Sequence, residues 1–205
     1  MAKRGYHHGN LRQALVEAAL DLIRAKGPTG FTLSEAAKQA GVTPAAVYRH
    51  FEGREDLIAE AALQGYEIFA DLMQYAYDKG QPSALAAFDA TGRAYLAFAR
   101  KYPGHYISMF ESGISVNRTP ALAQASQKAR DVLERAAEDL CAHIPPDRRP
   151  PASMFSAHIW ALSHGVVELF ARNSPGTQSP YNPEDLLESG IGVYLRGLGI
   201  LGKDH

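Results

Sequence analysis

The 205-residue chain has one cysteine, Cys141, and one tryptophan, Trp160. A single thiol makes no internal disulfide, and no paired-cysteine zinc spacing is possible. No apolar run approaches the roughly 18 residues of a membrane-spanning helix, so no membrane association is expected. No alternating apolar and polar run bounded by turns reads as a strand. There is no internal repeat and no low-complexity tract. Catalytic signatures are missing as well. There is no phosphate-binding loop and no His-Glu-x-x-His motif. Gly113-Ile114-Ser115 runs on into Val116-Asn117 and never completes Gly-x-Ser-x-Gly. Gly190-x-Gly192 lacks a third glycine and follows no strand. No catalytic residue, metal or cofactor is therefore expected. The opening MAKRGYHHGN is basic but leads into no apolar h-region, so it does not read as a secretory signal, and a cytosolic protein is expected.

Net charge is only −1, which at first argues against a nucleic-acid partner, but its distribution is uneven. Residues 1–51 carry seven Lys/Arg against three Asp/Glu, a net of +4, and the remainder carries fourteen against nineteen, a net of −5. A basic head on an acidic body suggests that the head meets something anionic. With 46% hydrophobic and 21% charged residues there is material for a real core and for one or two domains.

Apolar periodicity predicts helices nearly throughout. Leu11, Leu15, Ala18, Ala19, Leu22 and Ile23 form the first stripe, and Gly27-Pro28-Thr29-Gly30 ends it. Thr32-Leu33-Ser34-Glu35 is a capping box opening a second, short helix, which Gly41 closes in a left-handed position. Thr43 caps a third helix, with Pro44 at its first position, reaching about His50. Further helices are expected from Arg54 toward Tyr77 and over about 82–101, 103–112, 118–143, 150–172 and 184–200. The stretch 173–183, NSPGTQSPYNP, reads as a mobile loop.

The informative segment is 32–51, TLSEAAKQAGVTPAAVYRHF. Two short helices joined by Gly41-Val42-Thr43 have the size of a helix-turn-helix. Pro44, Ala45 and Ala46 put small side chains on the leading turn of the second helix, which lets its N-terminus press into a major groove. Val47 and Phe51, four apart, face the core. The polar tips of Thr43, Tyr48 and His50 suit phosphate oxygens. An ordinary capped helical hairpin accounts for the same spacing.

Residues 11–58 resemble the N-terminal domain of TetR-type transcriptional regulators, through the ordered set Thr32, Ala37, Ala40-Gly41-Val42, Thr43, Tyr48, His50-Phe51 and Leu57. Ala36 stands where that family usually has a larger aliphatic residue, and Arg54 where lysine is more usual. The resemblance implies Thr32, Thr43, Tyr48 and His50 on DNA phosphates and Pro44, Ala45 and Ala46 at base edges. It also implies the backbone amide near Arg54 on a phosphate at a helix N-terminus. Arg49 is either a phosphate contact or a solvent-facing charge. Lys3 and Arg4 either track the duplex as a basic arm or form a free terminus. Trp160-Ala161-Leu162-Ser163-His164-Gly165 is similar to the Trp-x-x-x-His-Gly signature of one regulatory-domain subgroup, and Tyr6-His7-His8-Gly9-Asn10-Leu11-Arg12 is similar to its opening.

A pairing surface is also legible. Ser153, Ala157, Ala161 and Gly165 recur every four residues, and Gly190, Gly192, Gly197 and Gly199 stand in the last helix, around Val193. Each glycine costs about 1 kcal/mol in a helix interior relative to alanine, so close helix–helix approach is implied, across a dimer axis or within one subunit. The resemblance favours a homodimer. Aromatic and sulfur side chains crowd the body: Phe69, Met73, Phe88, Tyr95, Phe98, Tyr106, Met109, Phe110 and Trp160. They line either a small-molecule pocket or a plain core, with His105 and His164 as polar candidates and a His164–Glu168 bond as one way of holding that core.

The expectation is an all-α, two-part chain: a helix-turn-helix domain over 1–56 and a helical ligand-binding and dimerisation domain over 57–205. It would act as a ligand-released repressor in the bacterial cytoplasm, at the nucleoid. As a homodimer it would bind a palindromic double-stranded operator, and its small-molecule effector would be largely apolar.

Overall fold

A computed structural model describes residues 11–171 and 180–202. Among them are nine α-helices, one π-helical turn and no strand. Most of the 173–183 segment, and with it the expected loop, lies outside the described residues.

Helix α1 (Leu11–Lys26) buries Leu15, Val16, Ala18, Ala19, Leu22 and Ile23, a stripe at i, i+3, i+4 and i+7. Helix α2 (Leu33–Gln39) opens with the capping box: the Thr32 hydroxyl accepts from the Glu35 amide and the Glu35 carboxylate accepts from the Thr32 amide. Gly41 follows at φ +74°, a left-handed conformation that costs a side-chain-bearing residue about 1–2 kcal/mol. Helix α3 (Pro44–Val47) is shorter than the periodicity suggests. Residues 48–50 continue as a hydrogen-bonded turn, with the His50 and Phe51 amides both donating to the Val47 carbonyl.

The remaining elements are α4 (Arg54–Gly80), α5 (Ala84–Lys101), α6 (Pro103–Phe110), α7 (Pro120–Cys141), α8 (Ala152–Val166), the π-helical turn (Val167–Ala171) and α9 (Pro183–Gly197). They fall into two compact units, neither of which is one stretch of sequence. The first takes Met1–Glu67 and Tyr102–Ser126, and the second Ile68–Lys101 and Gln127–His205.

The first unit is organised around Leu15, Val16, Ile23, Phe31, Val47, Phe51 and Leu57. Ala36, small for its place, is fully buried there. Helix α6 joins this unit by close approach: a Cβ on Gly104 would stand 2.7 Å from the Leu20 carbonyl oxygen. The second unit packs aromatic rings edge-on and tilted. Phe69 meets Tyr95 at 5.3 Å and Phe98 at 5.0 Å, and Phe88 meets Phe155 at 5.4 Å.

Candidate nucleic-acid interface

The helix-turn-helix is hung from its buried residues. Val47 is fully buried and Phe51 nearly so, and each such burial stabilises the frame by about 1.5–3 kcal/mol. With those two side chains turned inward, the rest of the segment faces out. Thr43, Pro44, Ala45, Tyr48, Arg49 and His50 are exposed and Ala46 is half-buried; Tyr48 keeps 62% of its surface. The leading turn is thus a blunt edge of a proline ring and two methyl groups, flanked by a phenol, a guanidinium and an imidazole.

Two expected roles change in detail. Thr43 occupies the N-cap position with extended backbone, but its side chain makes no capping bond. The Ala46 amide donates instead to the Thr43 carbonyl, and Thr43 is exposed. Arg54 turns inward: its guanidinium donates to the Thr29 carbonyl at 3.0 Å and the Phe31 carbonyl at 3.3 Å, tying the α1–α2 loop to the start of α4. The expectation at that helix start therefore falls on its backbone amides and not on the Arg54 side chain. Lys3 and Arg4 lie outside the described residues.

Thr32 is exposed, yet its hydroxyl already serves Glu35. Lys26 reaches the same carboxylate at 2.6 Å. That ammonium, with the Thr32 amide and hydroxyl, holds the Glu35 carboxyl down to about 2. Arg12 is a residue that sequence reasoning missed. It lies over the Phe51 ring at 4.7 Å, donates to the His50 carbonyl at 3.3 Å and pairs with Glu60 at 2.6 Å. It therefore fixes the end of the recognition segment to α1 and α4. Arg118, before α7, clamps Glu55 and Asp56 at the start of α4 at 3.0 and 2.6 Å, and its guanidinium holds the Asp56 carboxyl below the usual carboxylate range.

The expected pairing face lies on the second unit. Ser153, Ala157, Ala161 and Gly197 are exposed, and Gly165 and Gly190 are half-buried. A Cβ on Gly165, Gly190 or Gly197 would meet nothing within 4 Å, so these glycines face open space within the protomer. Exposed Met154, Leu162 and Val193 stand on the same two helices.

The candidate sensor residues divide between the units. His105, Tyr106, Met109 and Phe110 belong to the first, where burial pushes the His105 imidazole below its ordinary value. Phe69, Met73, Phe88, Tyr95, Phe98, Trp160 and His164 belong to the second. There the Tyr95 hydroxyl lies 3.0 Å from His164 Nδ1 and accepts from Trp160 Nε1 at 3.3 Å, a bond from α8 across to α5 that spacing along one helix does not reveal. Beside it is an inner cavity of only about 20 Å³, ringed by Phe88, Tyr95, Leu133, Ile159 and Trp160, with hydroxyls from Thr91, Ser156 and Ser163. That is room for one water molecule.

Residues 15–61 match the model of bacterial regulatory proteins of the tetR family, and residues 88–194, half of the chain, match that of the tetracyclin repressor-like C-terminal domain. An uncharacterized HTH-type transcriptional regulator of Bacillus subtilis, YobS, is 24% identical over 96% of both chains. Among solved structures, a Rhodococcus protein of unknown function superposes with a TM-score of 0.79 at 25% identity, covering 96% of this chain and 99% of its own. A tetR-family regulatory protein, also from Rhodococcus, superposes with a TM-score of 0.74 at 20% identity, covering 95% and 100%. Proteins of this kind are transcriptional regulators, not enzymes. The chain belongs to the TetR family of DNA-binding transcriptional regulators.

Proposed function

We propose that the protein is a ligand-released repressor that binds a palindromic operator as a homodimer in the bacterial cytoplasm, at the nucleoid. The observation that carries this is the exposed edge Thr43–Ala45, with half-buried Ala46 behind it, held on a frame that buries Val47 and Phe51. Pro44, Ala45 and Ala46 meet base edges in the major groove. Thr32, Thr43, Tyr48 and His50, with Arg49 and the amides at Arg54, engage phosphates. Two such edges reach half-sites about 34–36 Å apart when copies pair through α8 and α9. Exposed Met154, Leu162 and Val193, interspersed with small residues, suit that pairing. We assign DNA binding to 1–56 and pairing and sensing to 57–205, of which 102–126 packs with the first unit. The sensor would be of the Trp-x-x-x-His-Gly subgroup, a reading supported by the run Trp160-Ala161-Leu162-Ser163-His164-Gly165.

The effector is a largely apolar small molecule held among Phe69, Met73, Phe88, Tyr95, Phe98, Trp160 and His164. Helix α4, which opens beside the helix-turn-helix and continues into the second unit, carries its effect to the DNA. Reversing occupancy from 99:1 to 1:99 requires that the effector prefer the released shape by about 5.5 kcal/mol.

Duplexes selected from a random pool test the reading. Affinity for the selected sequence falls by roughly 10³–10⁵ between about 50 and 200 mM salt if six to ten phosphates are contacted, and the selected sites carry two-fold symmetry. A helical adaptor protein would bind no duplex at any salt, and that result would refute the proposal.

A further inference from the structure

A second concavity in the same unit is far larger than the inner cavity. Helices α5 and α9 flank an open groove of about 730 Å³, within the size range of small-molecule sites. Its floor is apolar: Phe88, Leu96, Leu187, Ile191 and Leu195. Four carboxylates (Asp89, Glu184, Asp185 and Glu188) and two guanidiniums (Arg93 and Arg196) line it, so its rim is net acidic. Arg93 pairs with Asp89 at 2.9 Å and Glu188 at 3.5 Å, and Arg100 pairs with Glu184 at 2.5 Å; with Arg100 counted, the rim keeps one net negative charge.

Phe88 and Gly92 line both the groove and the inner cavity. These two residues border both spaces, with the Phe88 ring packed on Phe155 at 5.4 Å. A Cβ at Gly92 would already stand 3.7 Å from the Leu187 methyl, so any larger group there projects into the groove. The cavity side is uncharged and carries hydroxyls, and the groove side carries the acidic rim.

We infer that the α5–α9 groove is the outer half of the effector site. It would take an elongated apolar molecule with a cationic head: the head stays at the acidic rim, and the tail passes Gly92, displaces the Phe88 ring and enters the space beside Trp160. This rests on the proposed effector-released repressor and names the chemical class of its ligand and its way in. The large groove and the one-water cavity then become two parts of one site, closed at Phe88 when empty.

Tail-matched probes test it: decyltrimethylammonium, decanol and decanoate, below their aggregation concentrations, against the full-length protein. Trp160, the sole tryptophan, reports arrival at the inner end. Decyltrimethylammonium changes its emission saturably and raises the melting temperature, binding about tenfold more tightly than decanoate, because the rim favours a cation. Gly92→Leu weakens all tail binding by about tenfold or more, while Gly92→Ala, which makes ordinary contact, retains most of it. The pair Asp185→Asn and Glu188→Gln removes the preference for the cation and leaves decanol affinity unchanged, which guards against misfolding as the cause.

Decanoate binding as well as the cation overturns the charge assignment. A melting-temperature rise with silent Trp160 overturns the continuity, as does wild-type affinity in Gly92→Leu. Duplex binding by the unliganded protein is measured alongside. Wild type that binds selected duplex yet responds to no decyl compound sinks the groove alone, and wild type that binds no duplex sinks the parent reading.

Discussion

Thr32 and Thr43 stand at equivalent places, each just ahead of a helix, yet the structure separates their tasks. The Thr32 hydroxyl accepts from the Glu35 amide at 3.2 Å and donates to the Glu35 carboxylate at 3.1 Å; the Thr43 side chain makes no capping bond. Removing a working cap costs about 1 kcal/mol, so Thr32→Ala should lower folding stability by about that amount. Thr43→Ala should change it by less than about 0.5 kcal/mol, as for an ordinary surface position. On DNA the Thr43 hydroxyl has a task of its own. A hydroxyl bonded to a charged phosphate contributes about 1.5 kcal/mol at the low end. Two protomers double this to about 3 kcal/mol, or roughly a hundredfold in Kd. The loss should be the same for selected and scrambled duplex, because a phosphate carries no sequence. The slope of log affinity against log salt should not change, because a neutral hydroxyl releases no counterion. Urea denaturation of both variants and fluorescence-anisotropy titrations at two salt concentrations measure all of this. If Thr43→Ala destabilises the fold as much as Thr32→Ala does, Thr43 is a cap after all. If it leaves duplex affinity unchanged, its hydroxyl is not on a phosphate.

Ala45→Asp should damage affinity and operator choice together, since a carboxylate would enter where a methyl group meets base edges; operator affinity equal to wild type contradicts the groove assignment. Gly197→Leu should yield monomer in sedimentation. Nothing lies within 4 Å of a Cβ there, so the protomer tolerates the change and a persisting tight dimer would put the interface elsewhere. The Glu35 carboxyl is depressed from 4.5 to about 2 in the folded protein, so its ionised form favours folding. Its contribution is complete above about pH 4.5 and disappears as pH falls toward 2. The difference in urea midpoint between wild type and Glu35→Ala should therefore be flat near neutrality and narrow below pH 4.5; a difference unchanged at pH 3 would show that the carboxylate contributes nothing there.

What was legible in the sequence was local. The capping box needs only Thr32 and Glu35 three residues apart, the left-handed turn only Gly41, and the inward pair only Val47 and Phe51 at helical spacing; each is fixed by backbone geometry within one turn. The missing parts depend on long-range partners. Arg12 reaches His50 and Glu60, and Arg54 reaches back to Thr29 and Phe31; an arginine in a helical pattern reads equally as a surface charge. Gly104 gives no hint that its neighbour is the Leu20 carbonyl. Composition grouped His105, Tyr106, Met109 and Phe110 with Phe69 and Trp160 as sensor candidates, because a wealth of aromatic side chains states what is available for burial and not against what. Their separation into two units came only from the packing of α6.

The shortness of α3 bears on how release works. Four helical residues are far below the roughly 12–15 that an isolated helix needs for even marginal stability, so α3 owes its shape to its anchors. Two of these, Val47 and Phe51, bury side chains worth about 1.5–3 kcal/mol each, so unseating both would cost about 3–6 kcal/mol per protomer. The upper end of that range matches the roughly 5.5 kcal/mol an effector must supply to empty an operator. It would also have to be met twice in a dimer. Carrying the intact unit to a different spacing breaks none of these contacts. An effector of the proposed kind, with limited differential affinity, would therefore work by displacing the helix-turn-helix as a body, and hydrogen-exchange protection at Val47 and Phe51 should then be equal in the bound and released forms.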